Sequence, residues 1–323
     1  MTEHRLTARI GDIRAWCCVT GTSCVQYSSE DYVFQGMPHV PVTPFVDGVG
    51  PTTFCARVPA ATVIHGDCKG SVYYYVLASD GTLFVDGLNM HPRYHMGRAD
   101  SFARAVSSDL EVEVDLSSFI RWGRLRGVHV LIGGMRNYFH WLFEYLPRVH
   151  VLSRARANGE SYLMNDDLSH YQVDTLKLLG ISPSMCTRLP RHACLLVDDL
   201  IVPSIVPLPE AIKFLRSTFL DPDFSRPLRR VFVSRCDSLE PRVKNERLVM
   251  ESLCPLGFET VTLAGMPFRR QVELFERAEI VVGAHGAGLA NIVWCSPPAQ
   301  VVEIVNQINA PYTYFSAIAE NVG

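Results

Sequence analysis

Two stretches of this chain hold residues whose types and spacing suit chemistry. One is 279–291, where the apolar Ile280, Val281 and Val282 lead into Gly283, Gly286 and Gly288, with His285 and Ala287 between them and Asn291 just beyond. Glycines at such a turn let the backbone come close to a ligand. A helix that follows offers unpaired N–H groups and the positive end of its dipole to a phosphate. The other stretch is 137–148. Asn137 is a good helix N-cap, and His140 and Glu144 fall four residues apart on one helical face, where an imidazole or a carboxylate can take a proton.

The elements that hold the first stretch are regular. After a proline-marked linker at 221–227, strand patterns at 230–234, 260–263, 280–282 and 301–304 alternate with helical patterns at 245–253, at 270–278 and from 290 onward. Four parallel strands with intervening helices predict a doubly wound sheet, with ligands beyond the strands' C-terminal ends. Arg235 follows the first strand, His285 to Gly288 follow the third, and Glu303 ends the fourth. Arg235 and the turn suit phosphates, and Glu303 suits ribose hydroxyls. Taken singly, Arg235 and Glu303 also read as surface charges.

The second stretch lies in a region of β/α alternation. A strand at 127–132 ends in Gly133 and Gly134, a helix opens after Asn137, and further elements follow at 162–164, 171–179, 193–202 and 208–221. Pro147 lacks an N–H, so either the helix kinks or a second helix starts at the proline. Trp141 suits the core, and Arg148 is the i+4 neighbour of Glu144.

Residues 1–126 read as β-rich, with Asp80-Gly81 marking a hairpin across 71–85. The expected division is therefore 1–126, 127–221 and 222–323. His65, His91 and His95 are scattered and read as loop residues rather than a metal site. The ten cysteines form no Cys-x-x-Cys pair, and most read as small core residues. A net charge of −3 argues against nucleic-acid binding. Hydrophobic residues at 48% with 20% charged are those of a globular chain rather than a disordered one. No apolar run follows the N-terminus, so a cytoplasmic protein is expected, with peripheral membrane contact left open. The last helical pattern, 312–320, stops abruptly at Gly323, which suggests that a further element follows in related chains.

Several enzyme classes lack their signatures. No Gly-x-Ser-x-Gly elbow and no Gly-x-x-x-x-Gly-Lys-Ser/Thr occur. A dehydrogenase usually places its Gly-x-Gly-x-x-Gly after the first strand, whereas here the turn follows the third and reads Gly286 to Asn291. Residues 137–148, Val233-Ser234-Arg235 with Asn245-Glu246 downstream, and 283–291 with Val302-Glu303-Ile304 together resemble the pattern of glycosyltransferase family 61, over about 127–323. That family includes bacterial capsular-polysaccharide transferases, plant xylosyltransferases and the animal extracellular O-linked GlcNAc transferase.

The resemblance implies an α/β chain of GT-B architecture, two Rossmann-like domains facing a cleft, with the β-rich N-terminal portion in addition. It implies an inverting transfer from a nucleotide sugar, a UDP-sugar such as UDP-GlcNAc or UDP-xylose, to a hydroxyl of a glycan or glycoconjugate. Arg235, Asn245, His285, Gly286, Ala287, Gly288, Asn291 and Glu303 would bind the donor, and Asn137, Trp141 and Arg148 the acceptor. His140 and Glu144 are the candidates for the base. No metal or other cofactor is expected, and Asp221-Pro-Asp223, the one Asp-x-Asp of note, falls in the linker. A nicotinamide-dependent oxidoreductase and a non-catalytic glycan-binding protein remain the alternatives.

Overall fold

The computed structural model describes residues 5–11, 13–27, 53–68, 71–85, 103–105, 111–221, 229–237, 243–307 and 313–323. His91, His95 and most of the 221–227 linker, Asp223 included, lie outside these residues. So does the boundary expected at 221/222, apart from Asp221 itself.

Among the described residues the strands are β1 (Arg5–Ile10), β2 (Cys24–Tyr27), β3 (Thr53–Cys68), β4 (Ser71–Leu77), β5 (Thr82–Val85), β6 (Ala103–Ala105), β7 (Glu111–Asp115) and β8 (Ile120–Leu131). They continue with β9 (Ser161–Asn165), β10 (Cys186–Leu189), β11 (Ala193–Pro203), β12 (Arg229–Val233), β13 (Phe258–Val261), β14 (Ala278–Ala284) and β15 (Gln300–Ile304). The hairpin expected at Asp80-Gly81 joins β4 to β5, with Gly81 at φ +87°.

Two sheets result. A large mixed sheet runs β10-β9-β8-β11-β3-β4-β5-β1-β7-β6, with β2 beside β3. Its portion β10-β9-β8-β11 is parallel throughout, and β11 then pairs antiparallel with β3. The boundary expected at 126/127 falls inside β8, so strands from both sides of it share one sheet. The other sheet is parallel, in the order β13-β12-β14-β15.

In chain order the second sheet reads 2-1-3-4, so successive connections reverse direction between β12 and β14. That reversal opens a crevice at the strands' C-terminal ends. The parallel portion of the large sheet reads 3-2-1-4, with its own reversal between β8 and β11. Arg235 and His285 lie just past β12 and β14, and the helix of Asn137 begins just past β8.

One apolar core spans both sheets, from Val130, Ile132 and Trp141 to Val281, Trp294 and Phe315. Trp141 and Trp294 are fully buried, and burial of so large a side chain stabilises by about 1.5–3 kcal/mol or more. The helix Leu208–Phe219 ties the sheets together. Its Arg216 Nη1 donates to the carbonyls of Val293 at 2.6 Å and Cys295 at 2.7 Å, and Phe219 packs edge-on against Phe268 and Trp294.

Some local expectations are corrected. His65 is not a loop residue: it is fully buried in β3, stacked on Tyr74 with ring centroids 4.4 Å apart. Among the described residues no group of three or more metal-ligating side chains gathers, and no helix is long and apolar enough to cross a membrane. Among the described cysteines Cys17, Cys55, Cys194 and Cys295 are buried, whereas Cys18, Cys236 and Cys254 are exposed.

Candidate functional site

Asn137 caps its helix as its side-chain type requires, its Oδ1 accepting the N–H of Phe139 at 3.0 Å and of His140 at 3.4 Å. The helix then widens. Residues 138–140 are α-helical, Trp141–Tyr145 form a π-turn closed by Leu146 N–H to Trp141 O at 2.8 Å, and a new helix, Arg148–Ala155, starts behind Pro147. The proline explains this: it has no N–H to donate, and its ring would strike the carbonyl four residues back. One residue of π-winding relieves both problems, and such turns recur at functional sites.

The π-turn leaves His140 and Glu144 facing each other, Nδ1 2.9 Å from Oε1. Burial alone depresses the His140 pKa, but the facing carboxylate more than offsets this and leaves it above the usual histidine value of 6.5. The Glu144 carboxylate thus lies beside His140, and its backbone carbonyl accepts from Arg148 Nε at 3.3 Å. Arg148 itself is fully buried, donating to Ile132 O at 3.0 Å with its guanidinium over the Tyr145 ring. Trp141 is fully buried too, its indole N–H on Thr175 Oγ1 at 3.0 Å. A sugar ring has no access to either side chain.

The glycine turn past β14 is built by close approach. A Cβ on Gly283 would lie 2.9 Å from Leu289 Cδ2 and 3.2 Å from Val233 Cβ, and one on Gly288 would lie 3.2 Å from Leu263 Cδ1. At Gly286 a Cβ would collide with Arg235 Nη1, so the guanidinium lies directly against this glycine. The α-helix expected from residue 290 is instead a 3-10 helix, Ala287–Trp294, opened by Leu289 N–H to Gly286 O at 2.9 Å. Tight winding is favoured here because the Asn291 amide itself takes the Gly288 carbonyl, at 3.1 Å. The amides of Ala287 and Gly288 precede the first internal bond and sit on a half-buried turn.

Replacing Gly286 by alanine is expected to displace the guanidinium. A misplacement of about 1 Å costs on the order of 10²-fold in kcat/KM, so activity should fall that far, and because Gly286 sits at φ +159°, where an L residue is strained, the melting temperature should fall by a few degrees as well. An unchanged kcat/KM would show that the guanidinium position is immaterial.

Asn291 is completely buried and saturated. It accepts from Tyr138 Oη at 2.8 Å and Trp294 Nε1 at 3.0 Å, and donates to Gln271 Oε1 at 3.0 Å and to Gly288 O. Its amide braces the turn, and through Tyr138 it joins the turn to the helix behind Asn137. Asn291→Ala leaves several buried groups unpaired at about 1–3 kcal/mol each, so a drop in melting temperature of several degrees is expected. A melt within a degree of wild type would count against this bracing role.

Arg235 is held at its backbone. Its backbone N–H donates to Glu246 Oε1 at 2.6 Å, which fixes the loop after β12. Asn245 is exposed and precedes the helix Glu246–Leu253 without a side-chain capping bond. Glu303, on β15, meets His285 rather than open solvent, with Oε1 2.6 Å from Nδ1.

Aromatic rings link the two imidazole–carboxylate pairs. Phe139 packs edge-on to His140 with centroids 5.5 Å apart and touches Phe315 at 6.0 Å, and Phe315 in turn meets His285 at 5.3 Å. The helix Tyr314–Val322 supplies this bridge. Phe139 and Phe315 were given no role from the sequence, and Glu246 was quoted only as part of the family pattern, without a role. For Glu246 the signal was present, since it lies next to Asn245 at the start of a helix, whereas the role of Phe315 arises only from tertiary packing.

A family model described as Glycosyltransferase 61 matches residues 138–302, just over half of the chain. The match contains His140, Arg235 and the glycine turn. Over 111 residues the chain is 30% identical to "Beta-1,2-xylosyltransferase RCN11" of Oryza sativa subsp. japonica, covering 29% of this chain and 21% of that protein. Over 95 residues it is 30% identical to "Beta-1,2-xylosyltransferase" of Arabidopsis thaliana, covering 25% and 18%. The aligned part thus spans about a fifth of the length of these relatives.

Proposed function

This chain belongs to glycosyltransferase family 61 and therefore works with a sugar donor and an acceptor; from that premise we propose that it is an inverting, metal-independent transferase using a UDP-sugar. The observation that carries the reading is the Arg235 guanidinium lying against Gly286, at the reversal of strand order in the β13-β12-β14-β15 sheet. A fixed cation beside a glycine turn and a helix N-terminus suits a diphosphate, and such donors stabilise the charge that develops as it leaves. The xylosyltransferase relatives make UDP-xylose the first donor to try, and UDP-GlcNAc the second.

In this reading the sheets face each other in the GT-B manner. What supports it is the Tyr138–Asn291 hydrogen bond, which brings the segment past β8 to the segment past β14, both at C-terminal strand ends. The acceptor hydroxyl attacks the anomeric carbon from the side opposite the diphosphate, and His140 takes its proton, with Glu144 holding the ring and stabilising its positive charge. Asn137 lies at the exposed mouth of that helix, where an acceptor would pass.

The test is a transfer assay with UDP-xylose and UDP-GlcNAc against a panel of glycan acceptors. The expected product has the anomeric configuration opposite to the donor's, and the rate survives a chelator. Retention of configuration, or loss of activity with chelator and recovery with a divalent ion, would overturn the mechanism. Glycan binding with no turnover of any nucleotide sugar would favour the non-catalytic reading.

A further inference from the structure

Resting on that donor reading, we propose that Glu303 acts on the leaving diphosphate through His285 rather than by holding the ribose. The two residues are set side by side by the β14–β15 ladder. Gly283 is in register with Glu303 and Ala284 with Ile304, and His285 N–H continues the pattern to Ile304 O at 2.9 Å. The imidazole therefore stands next to the carboxylate, Nδ1 to Oε1 at 2.6 Å, with both side chains largely withdrawn from solvent at 14% and 19% exposure. Phe315 packs edge-on against the ring at an interplanar angle of 71°.

A ring held by a carboxylate at Nδ1 and by an aromatic edge has its other nitrogen aimed by the protein. The neighbouring residue is Gly286, against which the Arg235 guanidinium lies. In this proposal the Nε2 edge of the ring and the guanidinium serve the same turn, with Glu303 fixing the ring at Nδ1. The acceptor oxygen bonds to the anomeric carbon as the bond from that carbon to the diphosphate oxygen breaks. The electron pair goes to the diphosphate, whose oxygen accepts the Nε2 hydrogen bond, while the acceptor's proton passes to His140. His285 is then a catalytic residue and Glu303 its positioning residue.

The experiment compares Glu303→Gln, His285→Ala and the double variant by kcat, donor KM and affinity for UDP and 2′-deoxy-UDP. Glu303→Gln is expected to lower kcat at least about 10-fold at near-constant KM, as loss of a residue that orients a catalytic histidine does. The double variant should lose no more than His285→Ala alone, because both act as one unit. The preference for UDP over 2′-deoxy-UDP should be unchanged by Glu303→Gln. Additive losses, or collapse of that preference, would overturn the proposal and return Glu303 to the ribose. If Glu303→Gln melts early, Glu303→Asp gives the same comparison with the charge kept. Wild-type turnover with additive variants defeats this inference alone, whereas wild type inert towards every nucleotide sugar defeats the donor reading with it.

Discussion

His140→Ala is expected to lose about 10²- to 10⁴-fold in transfer rate while binding nucleotide as well as wild type does, the range typical for removing a positioned base. The base works in its neutral form. Since Glu144 holds the His140 pKa above the usual value of 6.5, kcat/KM should rise with pH through that elevated pKa and be suppressed below it. Glu144→Gln removes the carboxylate charge, leaves burial to act alone and lowers the pKa. Its rising limb should move to lower pH, with a smaller loss in the plateau rate because a weaker base accepts the proton less readily. Were Glu144 itself the base, Glu144→Gln would cost at least as much as His140→Ala, and a limb set by His140 would be absent from wild type and variant alike. A pH series on the two variants separates these outcomes.

Arg235→Ala is expected to cost about 10²- to 10³-fold in kcat, the loss seen when one preorganised donor to a developing negative charge is removed. Nucleotide affinity should fall as well, because the same guanidinium meets the diphosphate before and after transfer. Arg235→Lys should recover only part of this, since an ammonium is a point charge and lacks the planar fork that binds two phosphate oxygens at once. The change should leave folding intact. The loop after β12 is pinned by the backbone N–H of residue 235 on Glu246, which a side-chain truncation does not touch. Full activity in Arg235→Ala, or equal activity in the alanine and lysine variants, would remove the diphosphate from this position.

Much of the second sheet was legible because its signals are local and periodic. Strands β12 to β15 and the helices Glu246–Leu253 and Phe268–Glu276 lie within about two residues of their predicted bounds. Apolar runs ending in glycine, proline or a polar cap mark such elements well. Sheet membership was harder to read. Phe54 N–H bonds Ser204 Oγ at 2.9 Å across 150 residues of chain, and the β3–β11 pairing behind it has no local signature. The same limit applies to the site. The spacing of His140 and Glu144 revealed their meeting, as an i+4 pair on a helix should. Glu303 reads as a ribose ligand from its residue type and its place on the strand, and nothing near it in sequence predicts that His285 will stand beside it. Trp141, Arg148 and Asn291 looked available to ligands because residue type alone does not say which way a side chain turns. In the fold all three are buried and bonded to protein. The π-turn and the 3-10 helix were missed for a related reason: each deviates from α-winding by one residue, under the influence of Pro147 in one case and the Asn291 amide in the other.

Everything proposed for catalysis depends on a nucleotide sugar seated at the turn between β14 and β15. Thermal unfolding of the purified chain with UDP, UDP-xylose, UDP-GlcNAc, GDP, CMP and NAD, in wild type and Arg235→Ala, tests this most directly, since a ligand that binds only the folded state raises the melting temperature. The account predicts a rise with UDP and at least one UDP-sugar that is lost in Arg235→Ala, and none with NAD. A rise with NAD alone, or a UDP effect of equal size in both proteins, would contradict it.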